Sequence, residues 1–83
     1  MKKTIKKGNY SFPVIIEKDE NGFYVVTNPS IEGCYSQGRT INEALKNIKE
    51  ATELCLEVMQ EEKIKPKIKN VSIHLISLEK QNV

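Results

Sequence analysis

The chain's single histidine, His74, and its two cysteines, Cys34 and Cys55, are the side chains best suited to chemistry. Nucleophilic catalysis needs a base within hydrogen-bond reach of the nucleophile and a third group to orient that base. His74 sits in Val71-Ser72-Ile73-His74-Leu75, where the sequence supplies no such companions, so it reads as a partly buried strand residue. Cys34 and Cys55 form no CxxC pair, and one histidine cannot complete a four-ligand zinc set with them. Cys34 reads as a packing residue. Asp19 and Glu20 belong to a hairpin signal and not to a metal pair, since no EF-hand spacing surrounds them. Gly33 and Gly38 make neither a dinucleotide fingerprint nor a Walker loop and read as turn glycines. The expectation is a protein with no catalytic residues, no cofactor site and no metal site, which is not an enzyme.

The elements that would position these residues are legible from periodicity. Tyr10, Phe12, Val14 and Ile16 alternate with Ser11, Pro13, Ile15 and Glu17, the mark of a strand. Pro13 cannot donate to a ladder, so pairing should begin at about Val14. Asp19-Glu20-Asn21-Gly22 supplies a tight reversal, Phe23 to Thr27 a second strand, and Asn28-Pro29-Ser30 a break. A short third strand is expected from about Cys34 to Gln37, ending at Gly38. Thr40-Ile41-Asn42-Glu43 has capping-box spacing. Ile41, Ala44, Leu45, Ile48, Ala51, Cys55, Val58 and Met59 then recur at helical steps, widened by Leu54 and Leu56. The helix is expected from about Ile41 to Glu62, with Pro66 preventing its continuation. Val71 to Leu78 alternates again and reads as a last strand; Glu79 to Val83 reads as a frayed tail.

The order βββαβ is an α+β fold: three antiparallel strands, one amphipathic helix on one sheet face, and a returning fourth strand. At 83 residues it is a single domain with a thin core, for which self-association is expected. The opposite sheet face, where Ile15 should appear, lacks a covering layer and is a place for a partner to bind. Residues 1–9 form a basic arm without an apolar stretch behind it, so no signal peptide is expected, and no run approaches the ~18 residues of a membrane span. The chain is expected to be cytoplasmic.

Net charge is +2, unevenly placed. From Glu43 to Glu62 the segment carries −4, and the remainder therefore +6. Glu50, Glu53 and Glu57 fall on the side of the helix away from the apolar stripe. The ordinary reading is a solvated helix between solvated lysines; the sharper one is that the two patches face different partners. Lys63, Lys65, Lys67 and Lys69 have no interleaved aromatics and so lack the stacking platforms of single-strand binders.

The stretch from Pro29 to Ala44 resembles the signature of HicB-like antitoxin domains. Those commonly read Pro-Asp-Leu-Pro-Gly-Cys, then Ser-x-Gly-x-Thr, then Glu-Ala opening a helix. Pro29, Gly33, Cys34, Ser36, Gly38, Thr40, Glu43 and Ala44 match, while Ser30 and Glu32 depart. Asn47-Ile48-Lys49-Glu50-Ala51 continues the likeness, which covers about residues 10 to 62 and, in element order, the last strand. The resemblance implies a partial ribonuclease H-like fold, one helix on a four-stranded mixed sheet whose last strand lies parallel to the first. It also implies a partner: a HicA-type ribonuclease toxin of double-stranded-RNA-binding-like fold, which cleaves mRNA and whose active surface the antitoxin blocks. Many members add a C-terminal DNA-binding module. This chain ends about where that module would start, so operator DNA is not an expected partner.

Three functions follow in order of preference. The first is an antitoxin that neutralises such a toxin, with Glu50, Glu53, Glu57 and Ile15 as candidate contacts in a homodimer or larger assembly. The second is a stand-alone oligomeric module of the same fold without a toxin. The third is a nucleic-acid-binding domain that uses the basic ends.

Overall fold

The computed structural model describes residues 10–80. The basic arm expected at residues 1–9 and the tip of the expected frayed tail, residues 81–83, lie outside the described residues. Three short strands come first: β1 (Ile15–Lys18), β2 (Tyr24–Thr27) and β3 (Tyr35–Gly38). They form an antiparallel meander in the order β1-β2-β3. β1 begins just after Pro13 and Val14, as the missing proline N–H requires. The reversal between β1 and β2 is built by Asp19, whose carboxylate accepts from the main-chain N–H groups of Asn21 and Phe23, both at 2.9 Å.

Helix α1 (Ile41–Glu61) follows β3 after two residues. The Thr40 hydroxyl accepts from the Glu43 N–H at 3.0 Å, as the capping box requires. The reciprocal half is shifted by one residue: the Glu43 carboxylate takes the N–H of Arg39 in place of that of Thr40. Ala44, Ile48 and Thr52 are the buried positions of the helix, with Ala51, Cys55, Leu56 and Met59 partly buried beside them. The core joins them to Val26, Ile31 and Cys34. Ile41, Leu45, Leu54 and Val58, all members of the expected apolar stripe, are exposed. Three strands of four residues cannot cover a stripe that wide along a helix of 21.

The expected fourth strand is not formed. Val71–Leu78 has no ladder partner in the described chain, so the order is βββα and the sheet has three antiparallel strands in place of four mixed ones. The cause lies in the connection. Lys63 turns the chain at a φ of 60°, and the Ile64 N–H bonds the Met59 carbonyl at 2.8 Å. The Lys69 N–H then reaches the Ser30 hydroxyl at 2.9 Å, tying the connection to the loop between β2 and β3. From there the chain runs outward, and residues 67–80 are all exposed. The longest dimension of the molecule is 64 Å, about twice the ~32 Å that 21 helical residues span. His74, expected to be partly buried in a strand, is exposed, with its Nε2 2.8 Å from the Ser72 hydroxyl.

Candidate functional site

The residues of the Pro29–Ala44 stretch act as a clamp between sheet and helix. Asn28, just before it, is 0% exposed and fully engaged. Its main-chain N–H donates to the Cys34 carbonyl at 2.9 Å, and its own carbonyl accepts from Ile31 at 3.2 Å. Its side-chain oxygen accepts from the Ser30 N–H at 3.1 Å, and its amide donates to the Thr52 hydroxyl at 3.2 Å. The Cys34 sulfur lies 3.6 Å from the same hydroxyl. Gly33 closes this loop at a φ of 77°, a conformation costly for residues with a Cβ. Ser36 pairs with Val26 across the ladder on the helix-facing side. Gly38 lies against the first turn of the helix, where a Cβ would stand 2.5 Å from the Ala44 nitrogen. Gly33, Cys34, Ser36, Gly38, Thr40, Glu43 and Ala44 thus lie where sheet, loop and helix meet, with Pro29 half-buried in the same loop, and two surfaces lie outside them.

One surface is the outer side of α1. Glu50 and Glu53 are exposed and Glu57 is half-buried. Their spacing at three and four residues puts them on one side of the helix, opposite the buried Ala44–Ile48–Thr52 row. On one flank, Asn47 donates to the Gln37 carbonyl of β3 at 2.7 Å, and Leu54 and Val58 lie exposed beyond it.

The second surface is the sheet face turned away from the helix. Because Val26 is buried beneath α1, the row Ile16–Val26–Ser36 faces the helix. The rows Ile15–Thr27–Tyr35 and Glu17–Val25–Gln37 therefore face outward. Ile15 and Tyr35 are exposed there as apolar or aromatic bodies, on a face that no second layer covers among the described residues. The glutamates and Ile15 are therefore not brought together: they sit on opposite sides of a two-layer molecule.

Among the described residues no group of three or more His, Cys, Asp or Glu is placed to hold a metal, and no helix is long and apolar enough to cross a membrane. The Ser72–His74 pair is exposed on an extended segment. Burial first, and then the neighbouring Cys34 thiol through its hydrogen bond and charge, push the Cys55 thiol above its ordinary value. The neutral thiol is thus the form that fits the fold. Its contribution is fully present below the ordinary thiol range of about 8.5 and is lost as pH rises through the raised folded value. Native Cys55 should accordingly alkylate more slowly at pH 8.5 than the same cysteine in urea, and the melting temperature should fall on going from pH 8 to pH 10. Equal alkylation rates in the two states would remove this account.

Periodicity did not reveal Asn28, Thr52 and Tyr35. Asn28 follows a strand and precedes a proline, which reads as a break, yet it is fully buried and hydrogen-bonded through both its main chain and its side chain. Thr52 had a signal: it lies four residues after Ile48, on the buried row, where a hydroxyl needs a partner.

Comparison with known proteins gives this fold a context. Residues 12–82 match the family described as the HicB-like antitoxin of bacterial toxin–antitoxin systems. A UPF0150 protein of Synechocystis is 51% identical over 49 residues, 59% of this chain and 71% of that protein. A UPF0150 protein of Archaeoglobus fulgidus is 51% identical over 47 residues, 57% of this chain and 68% of that one. The crystal structure of the N-terminal domain of the Burkholderia pseudomallei antitoxin HicB superposes with a TM-score of 0.58 at 33% identity, covering 80% of this chain and 72% of that one.

Proposed function

We propose, from the premise that this chain belongs to the family of HicB-like antitoxins of bacterial toxin–antitoxin systems, that it binds a HicA-type ribonuclease toxin and neutralises it by covering its active surface. Family membership supports a toxin as partner; the HicA type is what the resemblance of the Pro29–Ala44 stretch implies, and the surfaces fit such a partner. What carries it is the outward row Glu50, Glu53 and Glu57 on a helix anchored at its first turn. A protein that grips RNA presents positive charge to phosphates. An acidic row held in place by a rigid clamp can occupy that charge, speed association and exclude RNA. The chain works by occupying a surface and not by turnover, and a toxin that cuts mRNA places their meeting in the cytoplasm.

Copurification of the chain with the product of a neighbouring small basic reading frame, together with loss of that product's RNA cleavage, is the expected result. Replacing Glu50, Glu53 and Glu57 together by lysine should raise the Kd at least tenfold, mainly through a slower association, and should flatten its salt dependence. An affinity unchanged across that series would move the docking surface off the helix. The same measurement on Ile15→Asp then reports on the open sheet face.

A further inference from the structure

The segment Val71–Leu78 has a strand's pattern and no sheet. Val71, Ile73 and Leu75 alternate with Ser72, His74 and Ile76, and the segment lies within the span that matches the family. Ile73, Leu75, Ile76 and Leu78 are 84%, 94%, 82% and 84% exposed. Apolar side chains bared on successive residues of a segment with a strand's alternation are what a partner outside the chain would cover.

The same chain carries the matching vacancy. Helix α1 lies over β3 and β2 and hardly reaches β1. β1 pairs with β2 on one side only, so its other edge presents free N–H and C=O groups among the described residues. Its own C-terminal segment is led elsewhere: the Lys69–Ser30 hydrogen bond ties the connection to the loop between β2 and β3, and the residues after it run clear of the body. An open sheet edge and an unpaired strand in one chain, which do not meet within it, are free to meet in a pair of chains. Such an exchange is closed by a two-fold axis and uses every copy in the same way.

We propose that Val71–Leu78 is an exchanged strand: in solution it pairs with the β1 edge of a second copy, whose own segment pairs with β1 of the first. Each sheet then has four strands, three from one chain and one from the other. Eight residues span about 26 Å at ~3.3 Å per residue, so the segment covers the four residues of β1 and continues past it beside Phe12 and Val14. Ile73 and Leu75 lose their exposure in the exchange, as does the partly buried Ile16.

The test uses the full chain alone, without any toxin, so its outcome is independent of the antitoxin reading. Sedimentation equilibrium from 5 to 200 μM should give twice the 9.5 kDa chain mass. The double substitution I73D/L75D should halve that mass and leave the helical circular dichroism unchanged, because these side chains touch nothing in their own chain. In a mixed sample of labelled and unlabelled copies, isotope-filtered NOEs should connect Ile73 or Leu75 of one copy to Ile15 or Ile16 of the other. A monomer throughout that range overturns the proposal. So do NOEs of this kind confined to one chain, or a dimer in which the amides of 71–78 exchange at the rate of free peptide.

Discussion

Gly38→Ala is expected to lower the unfolding free energy by about 3 kcal/mol, the upper part of the usual overpacking range, and the melting temperature by roughly 10–20 °C. The added methyl would stand 2.5 Å from the Ala44 nitrogen, 2.9 Å from the Glu43 carbonyl carbon and 3.0 Å from the Ala44 Cα. All three are main-chain atoms at the start of the helix, and none can swing aside as a side chain would. Relief requires the whole first turn to withdraw from β3. That movement would loosen the Thr40 cap and lift Ala44 and Ile48 from Val26. Lys46→Ala, on the exposed side of the same helix, should change stability by no more than about 0.5 kcal/mol. Melts at one fixed concentration would compare the two, and a Gly38→Ala protein as stable as the parent would mean that helix and sheet slide past each other freely.

Asn28→Ala should be of similar size, about 2–4 kcal/mol. The truncation removes the acceptor of the Ser30 N–H and the donor to the Thr52 hydroxyl, both in a water-poor setting, and leaves a void between sheet and helix. Thr52→Val keeps the volume and deletes only the hydroxyl, so it should cost less, about 1–2 kcal/mol, chiefly because the Asn28 amide loses its partner. The double variant should fall short of the sum of the two, since both remove the same hydrogen bond. Strict additivity in urea unfolding would show that Asn28 and Thr52 do not act as a pair.

The sequence was most informative where local rules and tertiary structure agree. The capping box at Thr40–Glu43 placed the helix start to the residue, period two placed the first strand, where Ile16 is half-buried between exposed neighbours, and β-branched and aromatic content placed the second, where Val26 is buried. The scaffold residues from Pro29 to Ala44 were recognisable as a group, although their physical roles were not. That Gly38 answers to an approaching helix, and not to a turn, depends on a long-range contact that no local pattern encodes. The knot around Asn28 was hidden for the same reason, since its partner Thr52 is 24 residues away. The candidate contacts divided along similar lines. Helical spacing does put Glu50, Glu53 and Glu57 together, and strand alternation does put Ile15 on the open face. That these lie on opposite sides of the molecule follows only from the packing of layers. Val71–Leu78 has the pattern of a strand without being one in its own chain, because alternation states what a segment can pair with and not where the connection will deliver it.

Lys69 and Ser30 have a consequence for the lifetime of the molecule. By steering the last residues away from the body, their hydrogen bond leaves a lone copy with an outstretched tail. Proteases grip their substrates in that drawn-out shape, so a copy without a companion offers a ready cleavage site, and pairing through the proposed strand exchange would hide it. Under that exchange survival would depend on abundance: as copies become scarce, more of them would be solitary, and the remainder would decay faster than first-order loss would give.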